Sequence, residues 1–374
     1  MRLPLASSPL QVWAVEDTSI QITWGSLPTG AVEVRTGDHH HTVEHPGGPG
    51  SLNLHNLEPD HRHHIDLKWP QGRAQLIART LPPPPGRPLS RIATVSDLHL
   101  GASYWGASKR MLDRSGHEVP FAVRCARAAV SEAIRWGAEL LVIKGDAAHH
   151  EHDEHFDLVG DLVDGTGDLP VLLIPGNHDV DGRGRGSIPA KVGARGVPII
   201  RHAASVDLAG LRVIAADTTV PGQGHGSIDR VGDDILELAE LSPGPVMVGI
   251  HHQFQARRFP THYPLGVRAP ASNRFLDELA SIAPTALVTS GHTHRNRARR
   301  HGPLKISEVA STRDWPGVWA GYTVHEGGIR QVVRRVAAAD AISWHEYSSR
   351  ALLGLWEHWA VGPLNQRCFV HRWG

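Results

Sequence analysis

The sequence predicts a small all-β domain followed by a larger domain of layered α/β type. Residues 81–88 read LPPPPGRP, and consecutive prolines favour a stiff, extended chain that separates domains. Before these prolines, short runs of alternating polarity are split by turn residues, which is typical of an all-β unit. After them, apolar runs alternate with helical stretches, as in α/β domains. We therefore expect a β domain at residues 1–80, a linker at 81–90 and an α/β domain at 91–340.

The first domain is expected to be a small sandwich, in which residues 19–24 and 31–35 form strands because their side chains alternate in polarity. The segment resembles a fibronectin type III domain. Trp24 closes an early strand, and LEPDHRHHIDL at residues 57–67 is similar to that family's Leu-x-Pro corner. The family has a Tyr four residues after the Pro, where this chain has His63. The corner hydrogen bond is therefore an open question, and a β-rich unit of no particular family is the alternative.

The α/β domain is predicted from apolar runs that read as buried strands and from one clear helical pattern. The helix is expected at residues 121–136, where apolar side chains recur at helical spacing. The expected strands are residues 92–96, 140–143, 171–174, 211–215, 246–250 and 286–289. Residues 341–374 form a Trp-rich extension that we expect to pack on the large domain as a helix or lid.

Composition limits the chemistry that the chain can carry. It has 27 histidines but only two cysteines, which excludes a disulfide framework and a thiolate zinc cluster and leaves nitrogen and oxygen ligands. Lys plus Arg and Asp plus Glu both number 38, so no global field attracts nucleic acid, and we do not expect it as a partner. No stretch approaches the roughly 20 apolar residues that cross a bilayer. We expect a cytoplasmic protein without a membrane span.

Five short motifs with metal-binding side chains follow one another along the α/β domain, each at the carboxyl end of an expected strand. They are Asp97-Leu98-His99, Gly145-Asp146, Gly176-Asn177-His178-Asp179, His251-His252 and Gly291-His292-Thr293-His294. Because strand ends of layered α/β folds converge on one edge, side chains distant in sequence can meet in one site. In an extended segment, residues two apart point the same way, so each D-x-H or H-x-H unit can present two donors together.

These side chains predict a centre for two metal ions. Two ions about 3.5–4 Å apart need a shared carboxylate and a mixture of oxygen and nitrogen donors. The predicted ligands are Asp97, His99, Asp146, Asn177, His251, His292 and His294. Carboxylate, amide and imidazole donors suit Mn, Fe, Zn or Co, so these donors leave the identity of the divalent metals open.

In kind and order, the five motifs resemble the signature D-x-H, G-D, G-N-H-[DE], H and G-H-x-H of the calcineurin-like metallophosphoesterase superfamily. The resemblance covers about residues 91–336, most of the larger domain. It implies a four-layer α/β/β/α sandwich. It also implies an enzyme that hydrolyses a phosphate ester, through attack on phosphorus by a hydroxide that bridges two metal ions.

The same resemblance implies a role for each predicted site residue. Of the ligands, the first metal would take Asp97, His99 and His294, and the second would take Asn177, His251 and His292. Asp146 would bridge the two ions. His178 would contact the phosphate and protonate the departing alkoxide, and Asp179 would orient His178.

Two positions depart from the family's pattern. The second motif usually continues G-D-x-x-D or G-D-x-x-Y, whereas GDAAHH places His149 last. The missing Tyr argues against a ferric-tyrosinate site, and we expect His149 to support the ligands rather than to bind metal. The fourth motif usually has a Pro two residues after the ligand, where this chain has Gln253. His252 is therefore an alternative to His251 as the ligand.

Several segments around the motifs have two interpretations each. Arginines follow two of the motifs, at Arg257, Arg258, Arg295, Arg297, Arg299 and Arg300. They either bind an anionic substrate or belong to a solvated strand. The histidines at 150, 152 and 155 belong either to a solvated loop or to a third metal site. Residues 104–120, an insertion after His99, are expected to shape the substrate pocket.

The substrate is predicted from one loop. Residues 217–228, DTTVPGQGHGSI, resemble the loop that class III cyclic-nucleotide phosphodiesterases carry between the third and fourth motifs. This favours a small phosphodiester of the cyclic nucleotide or glycerophosphodiester type. The alternatives are a phosphomonoesterase or a nuclease with the same dimetal site, or a binding module with secondary catalysis, and fold analogy does not choose among them. The oligomeric state is left open.

Overall fold

The computed structural model describes residues 10–106, 111–182, 199–259 and 263–373. Residues 1–9 of the expected β domain and residues 107–110 of the expected insertion lie outside these ranges. The described chain forms an N-terminal region of antiparallel strands and a mixed α/β region built on two six-stranded sheets. None of the helices in these ranges is long and apolar enough to cross a membrane.

The N-terminal region has seven strands in two antiparallel sheets. The strands are β1 (Gln11–Val15), β2 (Ile20–Leu27), β3 (Gly30–Thr36), β4 (His39–His45), β5 (Gly48–Leu54), β6 (Arg62–Trp69) and β7 (Gly72–Arg79). One sheet has the order β1-β2-β5 and the other β4-β3-β6-β7. Strand β6 shows why the sequence alternates, since His63, Ile65 and Leu67 are buried and their neighbours are exposed. Trp13 and Ile22 complete the core between the sheets.

The corner before β6 is closed by a histidine. Nε2 of His63 donates a hydrogen bond to the carbonyl oxygen of Glu58, at 3.1 Å. The hydroxyl of Thr80 donates to the same oxygen, at 2.6 Å. His63 therefore ties β6 to the preceding turn, because its ring nitrogen reaches a backbone acceptor five residues upstream.

The first sheet of the α/β region has the order β12-β11-β8-β19-β20-β21. These strands are β8 (Pro88–Val95), β11 (Leu140–Lys144), β12 (Val171–Ile174), β19 (Val318–His325), β20 (Gly328–Arg335) and β21 (Cys368–Arg372). The apolar run at 140–144 pairs in parallel with β8 on one side and β12 on the other, which explains its continuous hydrophobicity. Strand β21, from the C-terminal extension, is the outermost strand beside β20.

The second sheet has the order β13-β14-β15-β16-β18-β17. Its strands are β13 (Ala203–Leu208), β14 (Leu211–Ala216), β15 (Val246–Gly249), β16 (Leu287–Ser290), β17 (Arg297–His301) and β18 (Leu304–Glu308). The two sheets pack face to face, with Val142 and Ile174 of the first against Val213, Met247 and Leu287 of the second in one apolar cluster. In addition, β9 (Tyr104–Trp105) and β10 (Met111–Leu112) pair as a short separate hairpin in the insertion.

Helices cover the outer faces of both sheets. They are α1 (Phe121–Trp136), α2 (Asp153–Asp164), α3 (Gly232–Glu240), α4 (Ala269–Ile282), α5 (Ala339–Ser348), α6 (Leu355–Val361) and α7 (Leu364–Arg367), with a 3-10 turn at Ala351–Gly354. Helix α1 buries Phe121, Cys125 and Ala129 against the first sheet, and it ends where Gly137 takes φ +86°. Helices α3 and α4 cover the second sheet. The predicted four layers of helix, sheet, sheet and helix are confirmed.

The N-terminal region lies against the first sheet. The side chain of Gln21 exchanges two hydrogen bonds with the backbone of Arg335 on β20, at 2.8 and 2.9 Å. Glu16 forms ion pairs with Arg330 and Arg334 of the same strand, and these arginines hold the pKa of Glu16 below its usual value although burial opposes the shift. The contact is therefore polar and specific, and it fixes the β region against β20 of the first sheet.

Candidate metal centre

The predicted metal ligands lie in the loops that follow five strands of the two facing sheets. Strands β8, β11 and β12 of the first sheet lead into Asp97, Asp146 and Asn177. Strands β15 and β16 of the second sheet lead into His251 and His292. Because the sheets face each other and these strands end at the same edge, all seven predicted ligands come together, and all except Asn177 are buried.

The backbone at these positions is strained. Five ligands have a left-handed backbone conformation, with φ of +55° at Asp97, +45° at His99, +48° at Asp146, +69° at His292 and +50° at His294. Such a conformation costs a residue other than Gly on the order of 1–3 kcal/mol and persists only when the surroundings enforce it. Strain concentrated on one cluster of polar side chains is typical of a functional site.

Two motif glycines are required by close packing within the site. A Cβ atom on Gly176 would lie 2.2 Å from the backbone nitrogen of Asp146. A Cβ atom on Gly291 would lie 1.8 Å from the hydroxyl oxygen of Ser96. Since no real Cβ contact is this short, only Gly lets the third and fifth motifs approach the first two.

Asp146 occupies the middle of the site. Its Oδ2 lies 3.5 Å from Nε2 of His99, and its Oδ1 lies 3.4 Å from Nε2 of His251. Oδ1 also accepts a hydrogen bond from the backbone N–H of His178, at 2.9 Å. The two carboxylate oxygens therefore face two different histidines, which is the arrangement that a shared ligand needs.

The other donors form two groups, one beside each oxygen of Asp146. In the first group, donor atoms of Asp97, His99 and His294 all lie within 4.8 Å of one another. In the second, Nε2 of His251 lies 3.2 Å from Oδ1 of Asn177 and 3.2 Å from Nδ1 of His292. These groups contain the same residues as the two ligand sets that the family resemblance implied, and their assignment as ligands stays a prediction.

Hydrogen bonds behind the site set which imidazole nitrogen faces inward. Nδ1 of His251 donates to the carbonyl of Lys144 at 2.8 Å, and Nε2 of His292 donates to the carbonyl of Leu265 at 3.1 Å. Nδ1 of His294 donates to the carboxylate of Asp314 at 2.7 Å. Each bond holds a proton on the outer nitrogen, so that the inner nitrogen is the one available to a metal ion, as in metal-binding histidines.

The donor set fits transition-metal ions. Nε2 of His99 is buried and makes no hydrogen bond within the described part of the chain. A buried imidazole nitrogen in this condition is uncommon, since buried polar atoms are nearly always satisfied. A bound metal ion would satisfy it, and the surrounding imidazole, carboxylate and amide groups are ligands that such ions take.

The electrostatics of the site favour cations. Burial would raise the pKa of Asp97, but His294 and its other neighbours lower it to about 2. Burial would lower the pKa of His251, but Asp146 raises it to about 9, and in the same way Asp314 and Asp97 raise the pKa of His294 to about 10. The inward-facing nitrogens of His251 and His294 therefore bind protons readily, and a metal ion at the same position would replace such a proton.

His178 and Asp179 lie at the edge of the metal centre. The ring of His178 lies 4.6 Å from that of His99, and its Nδ1 donates to the carbonyl of His149 at 2.8 Å. The carboxylate of Asp179 instead accepts hydrogen bonds from the backbone N–H groups of Gly176 at 2.8 Å and Ala148 at 2.7 Å. These bonds hold the loop that carries His178, which is one way in which Asp179 could orient His178. Burial, reinforced by Asp146, raises the pKa of Asp179 to about 7.

The alternative ligand His252 also lies close to the second group, since a donor atom of its ring falls within 4.8 Å of those of His251 and His292. Nδ1 of His252 lies 3.0 Å from the hydroxyl of Thr218, behind the site, whereas His251 points at Asp146. The geometry therefore favours His251 over His252. The ring of His149 is stacked on that of His178, with centroids 5.7 Å apart, which suits the supporting role that the sequence predicted for His149.

Two residues that the motifs did not reveal lie directly behind the ligands. Asp314 fixes the ring of His294. Arg313 is only 3% exposed, and its guanidinium lies 3.7 Å from the carboxylate of Asp314 and over the ring of Trp105, 4.9 Å from its centroid. Both belong to the run STRDWPG. This run has neither helical nor strand periodicity, so the sequence did not indicate that its side chains are buried beside the predicted ligands.

Two further residues also escaped the prediction. Trp105, in the insertion after His99, is stacked on His294 with ring centroids 5.3 Å apart, so the insertion forms one wall of the site. Lys144 donates to the hydroxyl of Thr289 and to the carbonyl of Ser290, both at 2.9 Å, and so joins the two sheets beneath the ligands. A Lys within the apolar run LLVIK directly before Gly145 was the available signal for this role.

The arginines after the fifth motif have different surroundings. Arg299 is half-buried and donates to the carbonyl of Phe254 at 2.9 Å. Arg295 packs on the ring of Trp359, 4.2 Å from its centroid. The run is therefore neither a uniform anion-binding rim nor a simple solvated strand. Among the other histidines, His150 pairs with Asp181 at 2.7 Å and lies outside the two groups of ligands.

Comparison with known proteins agrees with this geometry. The sequence profile of the calcineurin-like phosphoesterase family matches residues 90–296, more than half of the chain. A dimetal phosphatase from Danio rerio has a similar fold, with 14% identity over 67% of this chain and 97% of that chain and a TM-score of 0.51. No curated protein sequence matches the chain significantly.

Two other structures align over more of the chain but less closely. PhoD has 10% identity over 89% of this chain and 87% of its own, with a TM-score of 0.46. The purple acid phosphatase PPD1 from yellow lupin has 12% identity over 88% of this chain and 72% of its own, with a TM-score of 0.44.

The fold and the site thus define a metallophosphoesterase, and the chain belongs to the calcineurin-like phosphoesterase family. It has the metallophosphoesterase sandwich predicted from the motifs, preceded by an antiparallel β region. It is accordingly a metal-dependent phosphoesterase, and the dimetal fold implies two divalent metal ions.

Proposed function

We propose that this protein hydrolyses a small phosphodiester, of the cyclic nucleotide or glycerophosphodiester type, at a centre of two transition-metal ions. The observation that carries this proposal is the position of Asp146, whose two oxygens face His99 on one side and His251 on the other. A carboxylate shared in this way sets two ions close enough to act on one phosphate group.

The residues would divide between the ions as their grouping indicates. Asp146 would be the shared ligand, the first ion would be held by Asp97, His99 and His294, and the second by Asn177, His251 and His292. When bound, two divalent ions supply a water of lowered pKa and neutralise charge on the phosphate oxygens. Mn, Fe and Zn all suit these donors, because imidazole, carboxylate and amide ligands do not discriminate strongly among them.

The remaining polar groups would manage the proton and the substrate. Hydrolysis forms a bond from the oxygen of water to phosphorus, breaks the bond to the departing alcohol oxygen, and requires a proton on that oxygen. His178 is placed to donate it, because its Nδ1 is held by the carbonyl of His149 and its ring lies beside His99. Asp179 would fix the loop of His178. Arg313 would add a positive charge behind the first group of ligands.

The preference for a diester rests on the loop at residues 217–228. Its Thr218 contacts His252, and its Asp217 pairs with Arg230 at 2.7 Å. The loop that resembles the one in class III cyclic-nucleotide phosphodiesterases is therefore packed behind the fourth motif, where it can set the position of His251. This placement supports a similar use of the loop.

The experiment is a comparison of esters with protein loaded with Mn²⁺. We expect hydrolysis of bis(4-nitrophenyl) phosphate to exceed that of 4-nitrophenyl phosphate, and we expect cleavage of a cyclic nucleotide or a glycerophosphodiester in the same assay. Elemental analysis should find two ions per chain. A preference for the monoester would make the protein a phosphomonoesterase, and cleavage of DNA alone would make it a nuclease. Inactivity with two bound ions would favour a binding module.

Three further expectations remain proposals. The strand orders β1-β2-β5 and β4-β3-β6-β7, with the corner bond of His63, support a fibronectin type III-like N-terminal domain. We keep the domain limits at residues 1–80, 91–340 and 341–374, with the linker at 81–90. The cytoplasmic location is likewise proposed from the sequence alone.

A further inference from the structure

A cavity of 810 Å³ lies beside the metal centre. It is lined mainly by aromatic and aliphatic side chains, including Tyr263, Trp315, Leu352, Leu355, Trp356 and Trp359. We call this cavity the apolar cleft. Its volume lies within the range of about 300–1,000 Å³ that is usual for small-molecule sites, yet none of the chemistry proposed above uses it.

Two walls of the apolar cleft reach the metal ligands. One wall is the loop of Tyr263, in which the carbonyl of Leu265 accepts a hydrogen bond from His292 at 3.1 Å. The other wall is helix α6, where the ring of Trp356 lies 6.5 Å from that of His294 and 5.7 Å from that of Trp105. The cleft and the metal centre thus share their boundaries, so a phosphate at the ligands would have one of its substituents next to the cleft.

The lining of the apolar cleft is unusually exposed for its chemistry. Tyr263 is 83% exposed, Leu355 is 69% exposed and Leu352 is 60% exposed. Large contiguous apolar patches are rare on the surfaces of monomeric proteins, so such a patch often marks a binding site.

One positively charged side chain lines the apolar cleft. Arg295 follows His294 directly in the chain, lines the cleft and packs on Trp359. A ligand that passes from the metal centre into the cleft would therefore meet cations first and then a mainly apolar lining that also includes Arg295 and Glu357. This order suits an amphiphile with an anionic head and an apolar tail.

We infer that the apolar cleft binds an alkyl or aryl ester group of the substrate, so that the preferred substrate is an amphiphilic phosphoester. This inference rests on the proposed function and narrows it to an acyclic phosphodiester, because it assigns the second substituent of the phosphate, and in a cyclic nucleotide both ester bonds belong to one ring. The alkyl or aryl group would be bound by burial of its methylene or aromatic surface, which requires no further polar group.

Binding tests the inference without turnover. Alkyl phosphonates from methyl to octyl are titrated into the Mn²⁺-loaded protein by calorimetry. We expect the Kd to fall about twofold to fourfold for each methylene that the cleft covers. Leu355→Ser and Leu352→Ser should flatten this dependence, and their exposed positions make loss of folding an improbable cause. Leu353→Ser is the matched control, because Leu353 is 95% exposed and does not line the cleft.

Hydrolysis of alkyl 4-nitrophenyl phosphates provides the second measurement. Water adds to phosphorus, 4-nitrophenolate leaves, and a monoalkyl phosphate and protons remain, so only the alkyl group varies along the series. We expect kcat/KM to rise with chain length in the wild type and in Leu353→Ser, and to rise less in Leu355→Ser.

The results of these two measurements distinguish the inference about the apolar cleft from the proposed phosphodiesterase reaction. Turnover of the whole series with no effect of chain length on kcat/KM or on Kd would overturn the inference and leave the phosphodiesterase standing. Absence of turnover, together with a Kd that falls with chain length, would support the apolar cleft and overturn the proposed reaction. If Kd is insensitive to chain length and the wild type dimerises while Leu355→Ser does not, the cleft is an interface with a second copy and the inference fails.

Discussion

The metal centre and the apolar cleft lie side by side but are built in opposite ways. At the metal centre, the ligands are buried, strained and held from behind by hydrogen bonds, as His294 is by Asp314. In the apolar cleft, side chains such as Leu355 are exposed and come from irregular segments and a short helix. The difference fits our inference, in which rigid strand ends would fix the chemistry and the C-terminal segment around the apolar cleft would select the ester.

The largest effect is expected for Asp146→Ala, which tests whether the metal centre is one unit. Loss of the shared carboxylate should remove bound metal and lower the activity by at least about 10³-fold, because the metal-activated water is lost with it. Metal content by elemental analysis and kcat for bis(4-nitrophenyl) phosphate are the measurements. The control is Asp168→Asn, since Asp168 is an exposed carboxylate outside the site. Full activity in Asp146→Ala would contradict the shared-ligand scheme.

The next effect is expected for His178→Ala, which separates proton transfer from metal binding. His178 lies beside the ligands without belonging to either group of three. We therefore expect the metal content to stay unchanged and kcat to fall about 10²–10⁴-fold, the usual contribution of a general acid. Replacement of the exposed His117 serves as the control. Loss of metal from His178→Ala would instead make His178 a ligand.

A smaller effect is expected for Asp314→Asn. This change weakens the hydrogen bond that orients His294 and should reduce metal affinity about 10–100-fold, because second-layer partners of metal-binding histidines contribute about this much. Activity should return at higher Mn²⁺ concentrations. Asp277→Asn is a matched control, since Asp277 also holds a histidine, His301, at 2.7 Å but on the surface. An unchanged dependence on Mn²⁺ in Asp314→Asn would remove Asp314 from the site.

The sequence predicted the metal centre better than its surroundings. The sequence predicted that these side chains would lie together because each follows an apolar run that reads as a strand, such as 140–144 before Asp146, and because strand ends of this kind converge. Their role as metal ligands stays a prediction. The helix at 121–136 was found with both its limits, since its apolar face and Gly137 mark a helix and its end.

The features that the sequence could not predict lie in chain segments without helical or strand periodicity. Arg313 and Asp314 reach the site from a loop whose path is set by packing against α5, as when Trp344 donates to the carbonyl of Arg313. The apolar cleft needs Tyr263 and Trp356, which are about 90 residues apart in the sequence and share no motif. Similarly, the bonds of Asp179 to backbone N–H groups could not be distinguished from a bond to His178 without the fold.

The smallest effect concerns Trp356, the side chain that the two regions share. Its ring contacts His294 and Trp105 and lines the apolar cleft, and its Nε1 donates to the carbonyl of Trp315 at 3.1 Å. Trp356→Phe keeps the aromatic wall but loses this hydrogen bond, which contributes about 1 kcal/mol, so Tm should fall by about 2 °C. The dependence of kcat/KM on alkyl length should survive in Trp356→Phe and weaken in Trp356→Ala. If both variants keep that dependence, the wall that joins the metal centre to the cleft plays no part in selecting the substrate.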